Sequence, residues 1–280
     1  MKTSNWIDLK QDADTGIETI RAHFEGHAYD PHWHDSYLVG YTEQGVQRFN
    51  CGHQRYDSVP GKVILIEPGE VHDGEAASED GFTYSMLYLD PGWMERELRG
   101  LFADAPEHCV PGMSMTVAQS PELIFAIAST FQTLHQHELR IVRQTALDYL
   151  LSQLSAHTHW RKRTEADPRM PQVALRARDY LHAHLHEDVG LNELAMVTGV
   201  DRFRLNRAFK AAFGIAPHAY LVQLRLAQAR RQLAAGKAPA NVAVGLGFAD
   251  QSHLGRWFKR AYGLTPAHYQ QHCTGLPDRR

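Results

Sequence analysis

With 280 residues and 43% hydrophobic content, the chain can bury two cores, and a formal charge of −3 excludes a protein that is basic throughout. No apolar run approaches the ~18 residues of a membrane-spanning helix, and the polar start Met1-Lys2-Thr3-Ser4-Asn5 lacks a signal-peptide layout, so a cytoplasmic protein without a membrane partner is expected. Cys51, Cys109 and Cys273 are scattered, odd in number and without metal-type spacing, which predicts free thiols in a reducing compartment.

From about Thr19 to Leu89 the chain reads as short strands. Residues 36–41, 46–49, 62–66 and 83–88 are rich in β-branched and aromatic side chains and are separated by Gly45, Gly52, Gly61 and Gly69, a spacing that suggests a small barrel or sandwich. Helical periodicity follows. Ser120 is an N-cap before Pro121 at the first helical position, and Leu123, Ile124, Ile127, Phe131 and Leu134 recur at helical spacing. A second helix is predicted from about Glu138 to Trp160, with Ile141, Ala146, Leu147, Leu150, Leu151 and Leu154 on one side. That stripe suits either packing on the chain's own barrel or a two-fold partner. Residues 161–171 are charged, carry two prolines and have no periodicity, so they read as a linker between a domain at 1–160 and one at 172–280.

Charge is unevenly divided at that boundary. From Gln172 to Arg280 there are 15 Lys+Arg against 7 Asp+Glu, whereas Met1 to Pro171 holds 14 against 25. The C-terminal part can pair with phosphate and the N-terminal part is repelled by it. The basic part also repeats itself: Phe209-Lys210-Ala211-Ala212-Phe213-Gly214-Ile215-Ala216-Pro217 returns as Phe258-Lys259-Arg260-Ala261-Tyr262-Gly263-Leu264-Thr265-Pro266. In the first copy a helix at 191–197, a turn at Thr198-Gly199-Val200 and an Asp201 N-cap lead into a helix to about Phe213, the pattern of a helix-turn-helix. Leu205, Ala208, Phe209 and Ala212 form its buried side, leaving Arg202, Arg204, Asn206, Arg207 and Lys210 for DNA or solvent. The second copy runs from Ala240 to Gly245, turns through Leu246 to Ala249, and is capped by Asp250. Its second helix offers Gln251, Ser252, His253, Arg256, Lys259 and Arg260, of which Gln and Arg suit bidentate contacts with adenine and guanine. A helix from His218 to about Ala235 joins the copies, and a rigid joint would address major-groove segments ~34 Å apart.

The run Gly247-Phe248-Ala249-Asp250-Gln251-Ser252-His253-Leu254-Gly255-Arg256-Trp257-Phe258-Lys259-Arg260, with Tyr262-Gly263-Leu264-Thr265-Pro266 and Tyr269, closely resembles the signature of AraC family transcription regulators. The resemblance covers about Val173 to His272 and implies a tandem helix-turn-helix domain. It places Arg202, Arg204 and Asn206 on the first recognition helix and Gln251, Ser252, His253 and Arg256 on the second. Two departures, Pro239 before the second unit's first helix and Gly245 inside it, where Ala is about 1 kcal/mol better, predict a less stable second unit. The resemblance also implies that the polar segment before Thr19 is an arm folding over a pocket in one functional state.

Upstream, Pro31-His32-Trp33-His34, Glu43, Gly45 and Pro68-Gly69-Glu70-Val71-His72 resemble the two cupin motifs. Strand alternation puts His32 and His34 on one face, where His72 can join them as a donor set for zinc or iron. The cupin carboxylate after the second His is missing, its neighbourhood being Tyr37-Leu38-Val39. No metal or cofactor is therefore assigned, and the histidines are read as structural or effector-contacting. The candidate effector set is His32, His34, Tyr37, Arg48, His72, Tyr84 and Tyr88, suiting a small polar molecule. Arg48 for a carboxylate and Glu67 or Glu70 for an amine point to an amino acid-like effector.

The expected fold class is α+β: an N-terminal cupin-like β-barrel with a helical dimerisation segment, then an all-α tandem helix-turn-helix domain. The expected function is a ligand-responsive regulator, an activator rather than a repressor by family habit. It is expected to be a homodimer that binds promoter DNA and engages RNA polymerase. A cupin oxygenase or isomerase is disfavoured by the missing carboxylate, and a constitutive architectural DNA binder predicts no response to ligand.

Overall fold

The computed structural model describes residues 5–52, 54–102, 105–162 and 171–274, and the chain falls into two units that part between residues 163 and 164, except that residues 30–32 group with the second. The first runs β1 (Trp6–Gln11), β2 (Glu18–Phe24), β3 (His27–His32), β4 (Tyr37–Gly45), β5 (Gln47–Cys51), β6 (Gln54–Ser58), β7 (Val63–Ile66), β8 (His72–Ala76), β9 (Phe82–Leu89), α1 (Pro91–Leu101), β10 (Cys109–Met113), β11 (Val117–Ala118), α2 (Pro121–His135), α3 (Arg140–Ser155) and β12 (Thr158–Lys162). Six strands form one sheet in the order β1-β2-β9-β4-β7-β11, and four form another in the order β3-β8-β5-β6. The sheets face each other. Thr42 Oγ1 on β4 donates to Ser58 Oγ on β6 at 2.8 Å, and the hydroxyls of Tyr29 on β3 and Tyr84 on β9 lie 2.5 Å apart. Gly45 ends β4 at φ +72°, and an added Cβ there would lie 2.1 Å from the carbonyl oxygen of Gly81, so only glycine fits this corner.

The second face of the six-stranded sheet is also covered. Tyr37, Val39, Val63, Leu65, Leu87 and Leu89 pack on Met94 and Leu98 of α1, Ile127 and Phe131 of α2, and Leu150 and Leu154 of α3. Alternation thus sends successive residues of β4 and β9 either to the intersheet layer or to the helices. Most of the apolar stripe on α3 is consumed here, since Ala146, Leu147, Leu150, Leu151 and Leu154 are all buried, whereas Ile141 is 70% exposed.

Three expectations change. Residues 6–11 of the segment before Thr19 are a sheet strand instead of an arm: β1 pairs antiparallel with β2 from Trp6↔His23 to Gln11↔Glu18. It is held by Lys10 Nζ donating to the carbonyl of His135 at 2.8 Å and by Arg143 pairing with Asp12 and Asp14. The second helix begins at Arg140 and ends at Ser155 rather than Trp160, because the apolar stripe ends at Leu154 and the β-favouring Thr158 and Trp160 pair with β10, Trp160 opposite Pro111. Arg161 and Lys162, expected in the linker, finish that strand, and Arg161 pairs with Glu67. The rest of the expected linker, residues 163–170, lies outside the described residues.

The second unit is helical: α4 (Gln172–Ala183), α5 (Leu191–Thr198), α6 (Arg202–Phe213), α7 (Pro217–Ala234), α8 (Pro239–Gly245), α9 (Gln251–Tyr262) and α10 (Pro266–Thr274). Asp201 caps α6, accepting from the backbone N–H groups of Phe203 and Arg204 at 2.9 Å each, and Asp250 caps α9, accepting from His253 N at 2.6 Å. Both helices end on a left-handed glycine, Gly214 and Gly263, as their repeat predicts. The two departures noted in the second unit prove mild. Pro239 is the first residue of α8, where its missing N–H is no loss, and Gly245 is the last, outside the interior where glycine is costly.

Candidate DNA interface and sensor interior

On α6 the buried side is Leu205 and Phe209, and Arg202, Phe203, Arg204, Arg207 and Lys210 are exposed, with Asn206 half-buried. On α9 the buried side is Leu254, Phe258 and Ala261, leaving Gln251, Ser252, Arg256, Lys259 and Arg260 exposed. Each helix therefore presents a basic outer face on an apolar inner one. His253 departs from its expected base contact. Its ring is half-buried and accepts from Trp257 Nε1 at Nε2, 2.9 Å away, so it braces α9 from within. The N–H of Arg204, and then that of Phe203, hold the Asp201 carboxyl below the usual carboxylate range, which keeps the cap charged at the head of α6.

The two helix-turn-helix units are joined through Arg225 of α7. Its side chain is 8% exposed and donates to the carbonyls of Leu185 at 2.9 Å, Glu187 at 2.7 Å and Gly247 at 2.9 Å. The first two precede α5 and the third lies in the turn before α9. His186 Nδ1 lies 2.8 Å from the carbonyl of Gly245, a further direct link. Gly247 stands at φ +71°, and a Cβ there would come within 2.9 Å of both Arg225 Nη2 and the His186 carbonyl. Burial pushes the Arg225 guanidinium below its ordinary value.

Between the sheets, Tyr84 and His34 face inward. The His34 and His72 rings lie 5.3 Å apart, and Tyr88 meets His34 edge-on at 5.0 Å. Burial raises the Tyr84 hydroxyl to about 12 and lifts Tyr29 well above its ordinary value, so both remain neutral donors. Gln47 is buried beside them, with Oε1 meeting no hydrogen-bond partner. Two of the expected contacts are elsewhere. Tyr37 faces the helices and donates to the Pro111 carbonyl at 2.6 Å. Arg48 faces outward from β5, its Nε donating to Asp57 Oδ1 at 2.7 Å, because Gln47 and Phe49 on either side take the inward positions. Glu67 is also occupied, accepting from Met113 N at 2.6 Å and pairing with Arg161, while Glu70 accepts from Cys51 Sγ at 3.3 Å.

His32, at the end of β3, is buried, as are His34 and His72, and one ring nitrogen from each lies within 4.8 Å of the others. His32 Nδ1 sits 2.7 Å from the Asp30 carbonyl and His72 Nδ1 sits 2.9 Å from that of Glu70. Those contacts place the proton on Nδ1 and the lone pair on Nε2, and burial favours the neutral ring of His72. Such a set can accept hydrogen bonds from hydroxyls or ligate an ion of the zinc type. Among the described residues no carboxylate or thiol completes it. Glu43 instead holds Arg21 at 2.7 Å and Ser85 Oγ at 2.5 Å.

The family model of the AraC-like ligand binding domain matches residues 14–151, and that of a helix-turn-helix domain matches residues 194–272. The chain belongs to the AraC family of transcriptional regulators. This AraC-family chain is 27% identical over 248 residues to an uncharacterized HTH-type transcriptional regulator, YbfI of Bacillus subtilis, covering 88% of each. It is 26% identical over 254 residues to the HTH-type transcriptional activator RhaS of Yersinia pestis, covering 88% of this chain and 91% of that one. Its fold is similar to that of an apo ToxT variant from Vibrio cholerae, with TM-score 0.56 and 12% identity over 98% of this chain and 99% of that one. It is a transcriptional regulator with a ligand-binding and a DNA-binding domain, of a family that is not enzymatic.

Sequence reasoning about this regulator passed over Tyr29, Gln47, Phe203 and Arg225. The first two were discoverable only with the strand register. Phe203 was visible as an apolar residue off the buried stripe of α6. Arg225 reads in the sequence as an ordinary surface cation.

Proposed function

We propose that this AraC-family protein is a ligand-responsive activator that reads promoter DNA with α6 and α9. The observation that carries this is the pair of equivalently capped basic helices held together by Arg225, which supports two readers fixed on one frame. Arg202, Arg204, Asn206, Arg207 and Lys210 on one helix, and Gln251, Ser252, Arg256 and Lys259 on the other, are the proposed contacts, shared between phosphates and base edges. The activator reading rests on the similarity to the transcriptional activator RhaS and includes contact with RNA polymerase. Phe125, Leu139, Ile141, Val142 and Tyr149 leave apolar surface on α2 and α3 for a second copy, giving a homodimer.

The effector is a small uncharged polar molecule held between the sheets by His34, His72, Tyr29, Tyr84, Tyr88 and Gln47. An amino acid-like effector loses its carboxylate clamp once Arg48 is committed to Asp57 outside the interior. The test is affinity for a promoter duplex across a salt series, with and without panels of polyols and amino acids. A slope of about −0.9 per phosphate contacted and a shift with an uncharged ligand support the reading. Binding that is independent of DNA sequence and of every ligand refutes it.

A further inference from the structure

We propose that Phe203 is a specificity-determining residue of α6 that reads the methyl group of a thymine in the major groove. The inference rests on the reading of α6 as a base-contacting helix. Phe203 is 64% exposed in the second position of that helix, although its neighbours Leu205 and Phe209 are fully buried. Helical spacing puts residue 203 on the same outward line as Arg207 and Lys210, opposite the core. Its backbone is held by the cap, since its N–H donates to Asp201 Oδ1 at 2.9 Å. The guanidinium of Arg202 lies 5.0 Å from the ring centroid, leaning a cation against the ring.

An aromatic side chain held on this line among cations forgoes burial within the fold and can recover it only against an apolar partner. In the major groove the only apolar group on a base edge is the thymine methyl. Cytosine carries only a C5–H where thymine carries its methyl, so it offers the ring less apolar surface and Phe203 favours thymine over it. The repeat places Ser252 at the equivalent position of α9, as Arg207 corresponds to Arg256. The two units therefore read their segments by different chemistry: a methyl contact in the first, hydrogen bonding alone in the second. A thymine requirement confined to one segment makes the composite site directional.

The test uses the full chain and a preferred duplex recovered by selection from random sequences. Each thymine is replaced singly by deoxyuridine, which removes only the methyl, and affinity is read by fluorescence anisotropy. One thymine should cost the wild type about fourfold, the ~0.8 kcal/mol of one buried carbon converted to affinity. Phe203→Ala should bind the thymine and deoxyuridine duplexes equally, and Phe203→Leu should keep part of the difference. Arg207→Ala supplies the independent control for α6. A recovered sequence whose binding depends on Arg207 but on no thymine methyl overturns the role of Phe203 alone, as does a methyl effect that survives in Phe203→Ala. If no preferred sequence is recovered, or binding is indifferent to Arg207 and to every methyl, the base-reading helix fails and this inference with it.

Discussion

Replacing Arg225 by Met keeps most of the side-chain volume and removes the fork. The carbonyls of Leu185, Glu187 and Gly247 each lose a charged donor at once, and that of Glu187 keeps the Val189 N–H at 3.0 Å. A hydrogen bond to a charged group contributes roughly 1.5–3 kcal/mol, and burying the guanidinium offsets part of the total, as its lowered pKa indicates. A net loss of about 3–5 kcal/mol is expected once that offset is taken from the three bonds. Urea unfolding of the full chain should show the helical unit's midpoint falling. Binding should change in a distinctive way: affinity for a duplex carrying both segments should drop towards that for a duplex carrying one, since the units no longer hold a fixed spacing. Arg225→Lys should recover little, because a single ammonium cannot span three carbonyls that a planar fork reaches. An Arg225→Met protein within about 1 kcal/mol of wild-type stability, with the two-segment advantage intact, would refute the reasoning.

Other consequences are more local. Asp250→Ala removes the cap of α9 and should cost about 1 kcal/mol, together with a loss of DNA affinity that the same change at an exposed mid-helix site does not produce. Ile141→Glu places a charge on the apolar surface of α3 and should leave the fold intact while shifting a dimer to monomer in sedimentation; an unchanged mass would exclude that surface. Burial lowers the pKa of His72, so the unfolded chain takes up its proton first. Its contribution to stability is present at neutral pH and is lost as pH falls through and below the ordinary 6.5, with a slope of up to ~1.4 kcal/mol per pH unit. His72→Gln should flatten that part of the acid loss, and equal slopes in both proteins would show that His72 is not responsible.

The helical half was legible in the sequence because its determinants are local. Asp201 and Asp250 as caps, Gly214 and Gly263 as stops, and the spacing of Leu205 and Phe209 lie within a turn or two of what they specify. The central strands β4, β7 and β9 were legible for a similar reason, being dense in β-branched and aromatic residues. β1 and β12 were not. β1 is a strand through pairing with its chain neighbour β2, and β12 through pairing with the distant β10, and neither has a composition that demands it alone. The sensor residues divide in the same way. That the interior holds histidines and tyrosines could be read from the motifs, but Tyr37 was misplaced because both faces of β4 are buried, and Arg48 because a one-residue error of register on β5 exchanges it with the inward Gln47 and Phe49. Arg225 shows the remaining gap. Sequence determines that a cation sits on α7, but only the meeting of two loops from separate units decides that its three donors are satisfied by carbonyls instead of water.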